Sequence, residues 1–344
     1  MKKYLLLFTV ATLISLPFNA KAATWKPTAP EGYTPITWAK ATGITTFMKA
    51  PENSGHLDFL TYIYLPNNQI KLIASSTPKL DWGAGKAPFD TEPNVHNWAF
   101  AKTIVEKTKA AVPRAQFFWN VPFFNVTIPT SDLSFSLKST EATSTYITSG
   151  SRPEIDVADE RKMLIIDNTK GTAEISDFDA ATFIDKGDQA VEGLAPTVTS
   201  KGTDGSTARL FLGVRPGGKE LVVYCSQGAT PNEAIAALTL AGVPLENQLQ
   251  ADGGGSATCA YNLPGQYFVE PNRSLPHLMG AFSFVARGTI TTDKLNVRKG
   301  PGTANPVVRQ LKKGTAVVAL EEKNGWYRIS DNQEWITAQY FKKQ

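Results

Sequence analysis

Along this chain apolar residues fall in short runs broken by Gly, Pro, Asn and Asp, and few segments keep the period of a long helix. Residues 56–65 (HLDFLTYIYL) alternate and are rich in aromatic and β-branched side chains, which predicts a strand. A turn at Pro66-Asn67-Asn68 and a second apolar run over 69–75 predict its hairpin partner. Residues 97–112 have helical spacing. Trp98, Ala101, Ile104, Val105, Thr108, Ala111 and Val112 share one face, and Pro113 ends the pattern. A buried strand from residue 115 then runs into a turn at Asn120. The stretch 130–160, rich in Ser, Thr and charge, reads as weak strands in a long excursion, and 180–195 carries no decisive pattern. Strands follow over 163–167, 208–214 and 220–225, the last two joined by Pro216-Gly217-Gly218. The clearest helix begins at Thr230-Pro231-Asn232-Glu233, a capping box with proline at the first helical position, and stops at Gly242 and Pro244. A short strand over 249–251 delivers Asp252 at its end, and strands over 258–261 and 281–286 follow. From residue 288 the strands become short and closely spaced, at 307–311, 316–320, 326–329 and 335–336. The pattern as a whole predicts an α+β fold, a mixed sheet with packed helices over residues 23–287, followed by a small β-barrel over 288–344.

Composition changes this picture mainly at the N-terminus. With 42% hydrophobic and 19% charged residues the chain is a folded protein, not a disordered one. Lys2 and Lys3, the apolar stretch 5–16 and Ala20-Lys21-Ala22 read as a signal peptide over residues 1–22. Export is therefore expected, to a periplasmic, wall-associated or secreted location. The apolar stretch is too short to span a membrane, and no other segment reads as a span. Losing Lys2, Lys3 and Lys21 lowers the formal charge from +4 to +1, which leaves nucleic-acid binding without an electrostatic footprint. Cys225 and Cys259 read either as one disulfide of an oxidising compartment or as two buried thiols. His56, His96 and His277 are scattered without metal-ligand spacing, so neither a metal nor another cofactor is expected.

Candidate chemistry concentrates in Asp252-Gly253-Gly254-Gly255-Ser256-Ala257-Thr258. Consecutive glycines cost backbone entropy, and they are used where torsions are unusual or where something must approach the main chain closely. A carboxylate at a strand end followed by such a run can present several N–H groups and a charge to one point, an arrangement that suits a phosphate. Ser256 and Thr258 add hydroxyls. The competing structural reading is a tight bulge in which Asp252 bonds its own backbone. The motif is neither a Walker loop nor a nucleophile elbow, since it lacks G-K-[ST] and the closing glycine of G-x-S-x-G. Arg209 opens an otherwise apolar strand and is a candidate bidentate phosphate clamp, although an edge charge explains it more simply. Glu233 is a candidate carboxylate that the capping box already explains.

These residues resemble the phosphodiester glycosidase family, enzymes of the uncovering type that release a sugar from a sugar-1-phosphodiester. Residues 252–258 match the family's Asp-Gly-Gly-Gly-Ser-x-Thr run in full, and residues 228–234 resemble its Gly-x-Thr-x-x-Glu-x helix start. Asn120-Val121-Pro122-Phe123-Phe124 resembles its Asn-Gly-Gly-Phe-Phe turn with both glycines replaced. Arg209 to Gly213 resembles its Arg-Thr-Ala-x-Gly strand, and Arg273 with Pro276 fits its closing segment. The resemblance covers roughly residues 50–287. It implies a glycosidase with Asp252 and Glu233 in catalysis and a phosphorylated glycan as substrate. Asn120, Arg209, Gly253, Gly254, Gly255, Ser256 and Thr258 would bind that substrate. The alternative is a non-catalytic accessory protein that uses the same cleft to bind exopolysaccharide or wall polymer. The C-terminal module resembles the bacterial Src-homology-3-like domain through Leu295-Asn296-Val297-Arg298, Gly300-Pro301-Gly302, Gly325-Trp326 and Trp335-Ile336. That resemblance implies contact with peptidoglycan through residues 288–344.

Overall fold

The computed structural model describes residues 25–37, 41–51, 55–74, 115–120, 123, 137–141, 144–148, 160–198, 205–262, 267–269, 277–330 and 332–344. The signal segment and the helix expected over 97–112 lie outside them. The larger domain opens with β1 (Thr34–Pro35), β2 (Ile44–Lys49), β3 (Asp58–Tyr64), β4 (Asn68–Ala74) and β5 (Ala115–Asn120). It continues through β6 (Leu137–Glu141), β7 (Ser144–Thr148), β8 (Arg161–Asp167), β9 (Thr172–Asp177), α1 (Ala180–Asp185) and β10 (Gln189–Leu194). Next come β11 (Thr207–Val214), β12 (Glu220–Ala229), α2 (Pro231–Leu240), β13 (Gln248–Gln250), β14 (Cys259–Tyr261), β15 (Tyr267–Val269) and β16 (His277–Ser283).

This is a mainly β architecture of antiparallel sheets and not the α+β fold that the pattern predicts; among the described residues it has two α-helices. One sheet of eleven strands has β3, β12, β11 and β13 as neighbours at its centre, and a second of five strands runs β15-β14-β5-β16-β4. The two sheets face each other across one core. Phe59, Ile63, Leu210, Leu212 and Val223 come from the first, and Ile70, Phe117, Trp119 and Met279 from the second. The opposite face of the first sheet is also covered. Leu60, Tyr62, Phe211, Val222 and Tyr224 pack there against Ala234, Ala237, Leu238 and Ala241 of α2. The central strands are thus buried on both faces. Their sequences mark each as a strand but do not show which strands pair or in which direction, and the mixed sheet fails on that pairing: every ladder among the described residues is antiparallel.

The expected hairpin between residues 56–65 and 69–75 does not form. β3 pairs with β2 and β12, whereas β4 pairs with β16 in the other sheet. Between them a single 3-10 turn, Leu65–Asn67, carries the chain across the core. Asn68 fixes this corner: its Nδ2 donates to Tyr64 O at 3.0 Å, Thr42 O at 3.1 Å and Gly43 O at 3.2 Å. Cys225 on β12 and Cys259 on β14 form a disulfide, with Cα atoms 6.4 Å apart, that joins the two sheets.

The C-terminal module comprises β17 (Ala286–Ile290), β18 (Leu295–Arg298), β19 (Val307–Leu311), β20 (Ala316–Ala319), β21 (Glu321–Lys323), β22 (Trp326–Ser330), β23 (Glu334–Thr337) and β24 (Phe341–Lys343). Its strands form a three-stranded sheet, β20-β17-β24, and a five-stranded sheet, β19-β18-β23-β22-β21. No pairing closes these into the expected barrel. Among the described residues the two sheets have no hydrogen-bonded ladder between them and instead pack on a shared core of Ile290, Val297, Tyr327, Ile336 and Phe341.

Candidate functional site

The glycine turn leaves the larger sheet where β13 ends. β13 pairs with β11 through Phe211 and Gln250, and Ala251 N–H still donates to Leu210 O at 3.0 Å. One further step of this register sets Asp252 beside Arg209. Gly253 then passes so close to β11 that a Cβ on it would lie 2.8 Å from Ala208 O. Gly254 has φ +59°, in the left-handed region that favours glycine, and opens the 3-10 turn Gly254–Ser256. Ser256 N–H donates to Gly253 O and Ala257 N–H to Gly254 O, both at 3.2 Å. The motif is therefore both a close approach and a strained turn.

Asn120, the last residue of β5 in the opposite sheet, holds both ends of this turn. Its Nδ2 donates to Asp252 O at 2.8 Å, and its Oδ1 accepts the Thr258 N–H at 2.8 Å. Thr258 is buried and its Oγ1 donates to Val269 O at 3.2 Å. Asp252 and the three glycines are partly exposed. Ser256 is fully buried, and its hydroxyl has no hydrogen-bonding partner among the described residues.

Arg209 is 3% exposed. Its Nε donates to Ala229 O at 3.0 Å and its Nη2 to Gly205 O at 3.0 Å. Glu233 sits in the first turn of α2, where its Oε2 accepts Thr230 N–H at 2.7 Å and Thr230 Oγ1–H at 2.8 Å. The Thr230 N–H, with its hydroxyl, holds the Glu233 carboxyl below the usual range. The structure thus brings Asp252, Gly253, Gly254, Gly255, Ser256, Thr258 and Asn120 into one turn beside the Arg209 backbone. It places Glu233 instead at the helix start.

A second polar group at this end of the sheet escapes sequence reasoning. Asp58 opens β3 opposite Ser226 of β12, and Ser226 in turn lies opposite Arg209 of β11. Asp58 is 8% exposed; its Oδ1 accepts the Tyr224 hydroxyl at 2.9 Å and stands 3.2 Å from His56 Nε2. Burial pushes its carboxyl above the usual range, opposed by hydrogen bonds from Ser226 and Tyr224 and by His56. Burial also raises the Tyr224 phenol far above its ordinary value. The available signal was an acid at the start of an apolar strand, the same signal that singled out Arg209.

Among the described residues no group of His, Cys, Asp or Glu could hold a metal ion, and no helix is long and apolar enough to cross a membrane. Residues 293–342 match the family model for the bacterial SH3 domain. The C-terminal module is a bacterial SH3 domain. No curated protein sequence matches the chain. Among solved structures, a hypothetical protein from Synechocystis is 14% identical with a TM-score of 0.40, the match covering 73% of this chain and 64% of that one. The chain therefore spans less than two thirds of that protein's length. The catalytic domain of zebrafish N-acetylglucosamine-1-phosphodiester alpha-N-acetylglucosaminidase, auto-inhibited by its pro-peptide, is also 14% identical. Its TM-score is 0.46, and the match covers 70% of this chain and 83% of that one.

Proposed function

We propose that the larger domain hydrolyses a sugar-1-phosphodiester of an envelope or extracellular glycan while the SH3 domain holds the protein at wall polymer. The observation that carries this reading is the turn at 252–258, fixed at both ends by Asn120 and seated against β11 by Gly253. Such a turn keeps a carboxylate and a run of main-chain N–H groups in fixed relation, and the match of residues 252–258 to phosphodiester glycosidases favours a phosphorylated sugar as its ligand. A phosphate leaving group is a weak base, so it needs charge stabilisation more than a proton. Ser256 N–H is already bonded to Gly253 O, so the N–H groups of Gly253, Gly254 and Gly255 are the candidate phosphate donors. Asp252 would act at the anomeric carbon, as nucleophile or as base for water. Export is supported by the signal-like residues 1–22 and by the disulfide, a bond of oxidising compartments.

A second reading, a binding protein without turnover, is favoured by the commitment of Arg209 Nε and Nη2 to protein carbonyls and of Glu233 to its capping box. Release of free sugar from a panel of sugar-1-phosphodiesters separates the two. Turnover is expected in the unmodified protein, with a fall of about a hundredfold or more in a folded Asp252→Asn variant. Unchanged turnover in that variant would sink the mechanism. Binding without turnover across the panel would establish the second reading.

A further inference from the structure

The face of the larger sheet that α2 covers turns polar at the end next to the glycine turn. On the face covered by α2, Leu60, Tyr62, Phe211, Val222 and Tyr224 are core. Two residues beyond them on the same face stand Asp58, Ser226 and Arg209, each opposite the next. Asp252 completes the row by the β11–β13 register. Four adjacent segments thus set Asp, Ser, Arg and Asp side by side, with the glycine turn at the Asp252 end of the row and His56 at the other end, three strands away.

His56 stands at the open side of this row. Its side chain is 19% exposed and its Nε2 faces Asp58 Oδ1. Its Cβ and the Ser206 hydroxyl lie 3.2 Å and 3.3 Å from the place a Cβ on Gly228 would take, so His56 borders the segment whose Gly205 carbonyl holds Arg209. We propose that His56 is an anion-binding residue of this site, taking a phosphodiester oxygen through Nδ1, and that Asp58 is its positioning residue. The inference rests on the phosphodiester reading above for its ligand class.

The geometry fixes the sign of a pH effect. A carboxylate beside Nε2 keeps the proton there in the neutral ring, which leaves Nδ1 an acceptor that repels a phosphate oxygen. Only the imidazolium offers an Nδ1–H donor. The protonated ring therefore binds the anion more tightly than the neutral one. The groups that face the pair are Tyr224 and Ser226 on β12, Tyr33 on the N-terminal segment, Glu233 on α2 and Lys49 on β2.

The test is calorimetric titration of the intact protein with UDP-glucose, a sugar-1-phosphate joined through an anhydride bond to a nucleotide, whose charge is constant between about pH 6 and about pH 8, where an ordinary imidazole changes charge. Hydrolysis is followed in the same samples. The expected result is an affinity that falls about tenfold or more across that range. His56→Gln, folded as judged by circular dichroism, should bind weakly at both ends and lose the pH dependence. Asp58→Asn keeps an acceptor for the Nε2–H but removes its charge, so it should weaken binding chiefly at the lower pH; a purely structural role would weaken it equally at both ends. Binding that is absent, independent of pH, or unchanged in His56→Gln overturns the proposal. Binding with the expected pattern but without hydrolysis upholds the anion site and sinks the hydrolase reading instead.

Discussion

Asn120 commits its whole side-chain amide to main chain, donating to Asp252 O and accepting from Thr258 N–H across more than a hundred residues of sequence. Asn120 lies 1% exposed and Thr258 is buried, so the Thr258 N–H cannot turn to water if the amide is lost. Asn120→Ala leaves that buried N–H unmatched, at about 1–3 kcal/mol, and releases the part-buried Asp252 carbonyl as well. The expected outcome is a loss of stability of about 2–4 kcal/mol in urea unfolding, with turnover or ligand binding lost as well, because both ends of the turn are released. Asn120→Asp is the informative companion. It retains the acceptor for Thr258 N–H but sets a carboxylate oxygen against Asp252 O, so it should damage the Asp252 end alone. If Asn120→Ala melts like the unmodified protein, the turn is held by something other than this side chain.

At the scale of elements, the turn works because β13 is short and ends beside a strand that glycine can approach. A methyl on Gly253 would meet Ala208 O at 2.8 Å, and that oxygen belongs to β11, which sits between β12 and β13 and cannot yield. Gly253→Ala is therefore expected to lift the turn off the sheet. Ligand affinity or turnover should fall by about tenfold or more, the equivalent of roughly 1.4 kcal/mol. Gly254→Ala meets nothing within 4 Å and should show only the strain of its left-handed torsion, about 1–2 kcal/mol, in thermal melts. Equal effects of the two would contradict the packing. The same contrast explains what could be read beforehand. α2 was legible because its start is local chemistry: Thr230, Pro231 and Glu233 form the capping box within four residues. Asp252 at a strand end was legible for the same reason. The separation of β3 from β4 was not, since it depends on Asn68 reaching Thr42 and Gly43, and on β16 arriving from far along the chain. Nor was the polar row of Asp58, Ser226 and Arg209, which exists only once β3, β12 and β11 pair in this register.

Arg287 ties the whole molecule together. It lies on β17, which precedes the residues matched to the SH3 family and crosses the boundary expected at 287/288; β17 pairs with β20 and β24 of the C-terminal module, yet the guanidinium enters the larger domain. Nη2 donates to Leu65 O at 2.7 Å and Asn68 O at 3.1 Å, the carbonyls of the corner where the chain changes sheets, and Nη1 donates to Asn168 O. Asn168 in turn is bonded to Ile70 on β4 by both its side-chain atoms. The guanidinium also lies 4.5 Å from the Phe284 ring centroid. Burial lowers its pKa to about 10, which still leaves it charged at neutral pH. A buried cation serving three carbonyls of the larger domain makes that corner depend on β17 and the strands it pairs with. Arg287→Met keeps an apolar stem of similar length and removes every donor, leaving three carbonyls without that partner. The expected loss is about 2–4 kcal/mol, from charged hydrogen bonds of about 1.5–3 kcal/mol partly replaced by water. In calorimetry the unmodified protein should unfold in one transition, because the corner and β17 melt together. The variant should show two, the larger domain at lower temperature and the SH3 domain near its original one. A single transition at an unchanged temperature would mean that the two domains are coupled by contacts other than this guanidinium. A split would instead show that the larger domain and the C-terminal module are coupled through one side chain, 35 residues beyond Asp252 in sequence and seated on the corner that leads into β4.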